Sequence, residues 1–121
     1  LIILAGRPAM GKTALATNIG FNVAKKFSET LQSDDVKTDK NGNIISDGSV
    51  VAFFSLEMSA EQLTTRIAAE QSGIESNELR RGNIKEDQFM HYARTISDLK
   101  SVPFYIDQSG SIQCFLQELE D

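Results

Sequence analysis

Three runs of the chain are apolar without alternation: Leu1 to Ala5, Val50 to Leu56 and Val102 to Ile106. Between them, apolar residues return every third or fourth position. Short unbroken apolar runs read as strands covered on both faces, and the longer period reads as helices that cover them. After the first run, Leu15, Ile19, Val23 and Phe27 repeat at i, i+4 with Ala16, Gly20 and Ala24 beside them. The spacing predicts a helix that ends near Phe27 or Ser28 and packs closely on a sheet through a stripe that is small on one side.

From Glu29 to Ser49 the period dissolves into Ser, Asp, Lys, Asn and Gly. Five acids (Glu29, Asp34, Asp35, Asp39, Asp47) stand against Lys37 and Lys40, a net charge of −3. Asn41-Gly42-Asn43 is a turn signal, and Ile44-Ile45 fits one arm of a short hairpin. Residues 29–49 therefore read as a mobile polar surface insertion.

The pattern resumes with the strand Val50 to Leu56, after which Ser59-Ala60-Glu61-Gln62 has the spacing of a capping box. A helix is predicted from Ala60, carrying Leu63, Ile67 and Ala68 inward and stopping near Gly73, a residue suited to the left-handed C′ position. Ser76 is predicted to cap a short helix through Arg81, ended by Gly82. A further helix from about Glu86 to Leu99 places Phe89, Tyr92, Ala93, Ile96 and Leu99 on one stripe. Pro103 sits near the start of the last strand, where a missing N–H matters least, and Asp107 ends it. Ile112, Phe115, Leu116 and Leu119 fit one face of a short helix, but residues 113–121 form an atypical tail. The order β-α-β-α-α-β predicts an α/β fold, an open and mostly parallel sheet flanked by helices with ligands at the carboxyl ends of the strands.

Chemistry enters where the first run meets the first helix. Gly6-Arg7-Pro8-Ala9-Met10-Gly11-Lys12-Thr13 has the spacing of a phosphate-binding P-loop, G-x-x-x-x-G-K-[ST], between a strand-like run and a helix. Glycines at its ends let successive backbone N–H groups turn inward as an anion nest, and the helix adds the positive end of its dipole. Lys12 would reach the terminal phosphates of ATP, and the Thr13 hydroxyl would ligate the Mg²⁺ that bridges them. Glu57, just after the second strand, stands where a carboxylate can orient or deprotonate an attacking water. It equally suits a solvated acid favoured by the following helix dipole, and spacing alone leaves the two readings level.

Composition narrows the remaining classes. With 40% hydrophobic and 24% charged residues, the 121-residue chain is one globular unit or part of one. No apolar stretch is long enough to span a bilayer and no signal peptide is evident, so a cytoplasmic protein with no membrane partner is expected. The single cysteine, Cys114, and single histidine, His91, offer neither an internal disulfide nor a zinc site. A net charge of −5 argues against a nucleic-acid surface on this segment alone.

Three stretches carry a family resemblance: the loop Gly6 to Ala14, the segment Phe53-Phe54-Ser55-Leu56-Glu57-Met58-Ser59-Ala60-Glu61-Gln62-Leu63, and Arg80-Arg81-Gly82 followed by Tyr105-Ile106-Asp107. Over residues 1 to about 112 the chain resembles the bacterial replicative DNA helicases, DnaB-type hexameric motors with a RecA-like core. The resemblance implies that residues 1–121 are the N-terminal part of a RecA-like P-loop ATPase domain, and that the chain is a truncated piece of it. It implies that Glu57 is the catalytic glutamate, that Lys12 and Thr13 serve phosphate and Mg²⁺, and that ATP hydrolysis drives movement on single-stranded DNA. A homo-hexamer, a primase and a helicase loader are the partners it implies. In that family the magnesium-side aspartate lies on a later strand, so Asp107 is not expected to act as one. Two other readings compete. One is a small-molecule kinase with Arg80-Arg81 on a lid, although an exposed helix end explains that pair more simply. The other is a nucleotide-binding remnant without turnover.

Overall fold

The computed structural model describes residues 1–108, and its elements run α-β-α-α-α-β, without the predicted first strand and with three helices between the two strands. The expected helix through Ile112, Phe115, Leu116 and Leu119, the 113–121 tail and Cys114 lie outside the described residues. Helix α1 spans Lys12–Gln32, strand β1 Val51–Phe54, helix α2 Ala60–Ser72, helix α3 Ser76–Arg81, helix α4 Glu86–Leu99 and strand β2 Phe104–Asp107. The strands pair in parallel with Val51 opposite Phe104 and Phe54 opposite Asp107. Parallel pairing needs a long crossover, which α2, α3 and α4 supply.

The core lies where α1 and α2 meet this sheet. Phe21, Ala24, Leu63, Ile67, Ala68, Ala69 and Ile74 are buried. The Phe104 ring lies edge-on to Phe21, with centroids 6.3 Å apart, and tilted against Phe53 at 5.7 Å. Such pairs add modestly to the area they bury.

Helix α2 starts and stops as its local chemistry dictates. The Ser59 hydroxyl accepts from the Gln62 N–H at 3.2 Å, the Gln62 side chain accepts from the Ser59 N–H at 3.1 Å, and Gly73 closes the helix at φ 71°. Gly82 ends α3 in the same left-handed conformation, φ 68°. Glu75, rather than Ser76, occupies the N-cap of α3, because Ser76 is already its first helical residue.

Four further expectations are corrected. Leu1 to Ala5 is irregular, not a strand, with Ile2 95% and Ile3 82% exposed. A strand needs a neighbour for its N–H and C=O groups; β1 pairs with β2, and residues 1–108 hold no third strand beside the run. Helix α1 continues past Ser28 to Gln32. Nothing in Glu29-Thr30-Leu31-Gln32 breaks a helix, and this end is tied down: Ser28 Oγ donates to the Ser101 carbonyl at 3.3 Å and Thr30 Oγ1 to the Lys26 carbonyl at 3.0 Å.

The buried face of α1 is Thr17, Phe21, Ala24 and Ser28, while Leu15 and Ile19 of the predicted stripe are about half exposed (49% and 55%). A two-strand sheet covers a narrower sector than the stripe needs, and the helix packs on β1 and β2 with its flank against α2. The predicted stripe of α4 is likewise only partly used. Tyr92, Ile96 and Leu99 are half-buried and Phe89 and Ala93 exposed, because α4 packs on α2 from one side only.

The segment between α1 and β1 carries the expected hairpin. Thr38 and Ile44 form an antiparallel bridge, the Asp39 N–H donates to the Asn43 carbonyl at 2.8 Å, and Gly42 takes φ 84° at the tip. The hairpin is tied to α1: the Ser49 N–H donates to the Val23 carbonyl at 3.2 Å, and the Thr30 and Ser46 hydroxyls share a 2.8 Å hydrogen bond.

Candidate functional site

The loop before α1 changes backbone handedness twice in three residues. Ala9 has φ 62° and Gly11 φ 82°, flanking Met10. Left-handed conformation at a residue with a Cβ costs about 1–2 kcal/mol, so Ala9 is held there by its neighbours. This alternation is how consecutive N–H groups are brought round toward a common anion. Gly11 is the N-cap of α1 and makes no side-chain cap, so the first N–H groups of the helix are left for another acceptor. Gly6 allows a close approach: a Cβ there would stand 3.3 Å from Cγ of Lys12, so the lysine stem crosses its backbone.

Pro8 to Ala14 line a cleft of about 440 Å³ that is completed by Glu57, Met58 and Arg66. A second hollow on the other side of Lys12 and Thr13 is also bounded by Glu57 and Met58, with Leu4, Ala16 and residues 53–56. The residues singled out in the sequence, Met10, Gly11, Lys12, Thr13, Ala14 and Glu57, therefore meet at the carboxyl end of β1; Gly6 and Arg7 lead into the loop. Glu57 is exposed, Lys12 exposed and Thr13 half-buried. Arg80 and Arg81 are exposed and do not line the cleft.

Arg66 escaped the sequence reading. It is half-buried on α2, nine residues after Glu57. The available signal was positional: Arg66 follows the N-cap Ser59 by seven residues, two helical turns, which returns it to the face of α2 that starts at the Glu57 turn.

The turn that carries Glu57 is closed by buried Ser55. Its hydroxyl donates to the Met58 carbonyl at 2.7 Å and accepts from the Met58 N–H at 3.1 Å. Asp107 ends β2 alongside, its carbonyl accepting from the Ser55 N–H at 2.8 Å. Thr13, one residue into α1, offers a hydroxyl of the kind Mg²⁺ takes alongside phosphate oxygens and water. Among the described residues no three His, Cys, Asp or Glu side chains group closely enough to hold a metal by themselves.

Residues 1–119 match the family described as the DnaB-like helicase C-terminal domain. The chain belongs to that family. A protein named replicative DNA helicase DnaB from Synechocystis is 43% identical over 112 residues, which is 93% of this chain and 11% of the relative. Its namesake in Rickettsia bellii is 38% identical over 93% of this chain and 20% of its own length. A protein named probable replicative DNA helicase from Trieres chinensis is 36% identical over the same shares. The chain thus spans a fifth or less of these relatives. A DnaB-like domain accounts for the α/β order and leaves the small-molecule kinase reading without support. No helix among the described residues is long and apolar enough to cross a membrane.

Proposed function

We propose that this DnaB-like domain binds Mg-ATP at residues Gly6 to Ala14 and, within its intact protein, hydrolyses it to move along single-stranded DNA and unwind duplex during replication. The observation that carries the reading is that the P-loop and Glu57 line one cleft. The backbone N–H groups before Lys12 and the amino end of α1 would hold the β- and γ-phosphates, with Lys12 as a point charge on them. Thr13 would hold Mg²⁺, which when bound would offset phosphate charge.

Glu57 would orient a water against the γ-phosphorus and accept its proton as the new P–O bond forms. The bond to the bridging oxygen breaks, and ADP leaves with that electron pair. The relatives are named replicative DNA helicases, which speaks for replication and DNA unwinding. A homo-hexamer, a primase, a helicase loader and a cytoplasmic setting belong to the same reading. Residues 1–121 by themselves are expected to show weak or no turnover and, at best, weak Mg-nucleotide binding.

The intact protein is expected to show an ATPase stimulated by single-stranded DNA. Lys12→Ala should abolish it, and Glu57→Gln should lower kcat by about 10²–10⁴ while still binding a fluorescent nucleotide. An ATPase indifferent to DNA, or a Glu57→Gln protein that hydrolyses at the parental rate, would overturn the proposal.

A further inference from the structure

We infer that Gln108, with Ser55, is a positioning residue for Glu57, an inference that rests on the hydrolytic reading above. The turn between β1 and α2 is fastened to β2 at both ends. At its start the Ser55 N–H donates to the Asp107 carbonyl at 2.8 Å, one step beyond the β1–β2 ladder. At its finish the Ala60 N–H donates to the side-chain Oε1 of Gln108 at 3.0 Å. Ala60 is the first residue of α2, where the N–H has no partner inside the helix. The capping box leaves that group unserved, since Ser59 and Gln62 satisfy each other.

Gln108 therefore supplies, from just past the end of β2, what the helix cannot supply for itself. Between the two fastenings the Ser55 hydroxyl bridges both the N–H and the carbonyl of Met58. The backbone on either side of Glu57 is thereby held while its side chain stays exposed.

That arrangement suits a carboxylate that must meet a water in a narrow range of positions. Misplacement by about 1 Å can cost on the order of a hundredfold in rate. Removing the Gln108 acceptor frees the amino end of α2, and with it the rear anchor of the Glu57 turn. The loss belongs to kcat, because Gln108 is not among the residues that line the P-loop cleft.

The test is steady-state ATP hydrolysis by the intact protein with single-stranded DNA present, comparing Gln108→Leu, Gln108→Glu and Ser55→Ala, each alone and with Glu57→Gln. Gln108→Leu and Ser55→Ala should each lower kcat by about ten- to a hundredfold with KM for ATP within about twofold. Gln108→Glu, which keeps the acceptor, should restore most of the rate. In the Glu57→Gln background Gln108→Leu should cost nothing more, because it acts through the missing carboxylate.

An unchanged kcat in Gln108→Leu, or a full additional loss in the Glu57→Gln background, overturns the inference while leaving the hydrolytic reading intact. A Glu57→Gln protein with parental turnover removes both. If Gln108→Leu does not fold, Ser55→Ala and its double variant with Glu57→Gln decide by the same criteria.

Discussion

Gly20 of α1 lies against the rim of the Phe104 ring: a Cβ at Gly20 would stand 2.9 Å from Cε2 and 3.4 Å from Cγ1 of Val51. Phe104 is itself lodged between Phe21 and Phe53, so its ring cannot withdraw without disturbing two neighbours. Gly20→Ala gains about 1 kcal/mol of helix propensity but overpacks this contact at about 1–3 kcal/mol. The expected net is a loss near 1 kcal/mol, seen as a lower Tm. Adding Phe104→Leu, which shortens the obstacle, should make the Gly20→Ala change smaller than it is alone; equal costs in both backgrounds would show that the ring is not the obstacle.

Arg66 brings a second cation to the cleft of Lys12. A charge-assisted hydrogen bond to phosphate contributes about 1.5–3 kcal/mol, so Arg66→Ala should weaken nucleotide binding by roughly ten- to a hundredfold. Arg66→Lys should recover only part, a point charge replacing a planar fork. Titration with a fluorescent nucleotide at two salt concentrations measures this, and matching affinities in the parent and Arg66→Ala would place Arg66 outside the binding surface.

What could be read in advance divides along physical lines. The caps of α2, the stops at Gly73 and Gly82 and the hairpin tip at Gly42 were legible because each is decided within about four residues. The turn into α1 was legible because its left-handed backbone at Gly11 favours a residue without a side chain. The burial of Thr17 instead of Leu15 was not legible. It depends on how many strands lie across the helix, which no local pattern states. The exposure of Leu1 to Leu4 has the same origin, since an apolar run becomes a strand only with a partner at its side. Arg66 and Gln108 were missed because their meaning is tertiary: one depends on which way α2 leaves the Glu57 turn, the other on the nearness of two chain segments 48 residues apart.

Gly48 marks where the hairpin docks on α1. A Cβ there would overlap the backbone of Val23, Lys26 and Phe27, and helix backbone cannot step aside as a side-chain tip can. Gly48→Ala should cost about 1–3 kcal/mol and should speed proteolytic cleavage within residues 33–50. Gly42→Ala is the control: no atom lies within 4 Å of its Cβ position, so only its left-handed backbone is strained. Equal protection of the segment in the parent and Gly48→Ala would show that docking does not depend on that close approach.

Asp39 predicts a pH response confined to the hairpin. Its carboxyl is held below the ordinary value of 3.8, first by the Asn43 backbone N–H, then by the Asn43 side chain and the Asn41 N–H. A depressed carboxyl pKa stabilises the fold above the unfolded value and ceases to do so as pH falls through the folded one. The hairpin should therefore be fully formed above pH 3.8 and loosen only on further acidification. The amide proton shifts of Asn41 and Asn43 should titrate together with a midpoint under 3.8, and Asp39→Asn should remove that step. A midpoint at or above the ordinary value would contradict the hydrogen-bond pattern.

Helix α1 is unbroken for 21 residues, a rod of roughly 30 Å with the Gly6–Thr13 loop at one end and the hairpin riding toward the other. Any tilt imposed where Lys12 sits is swept through a wider arc at the Gly42 tip, as at the end of a pointer. A dye or small tag grafted there would travel with the rod while staying far from Lys12, making the hairpin a natural place to watch this domain move.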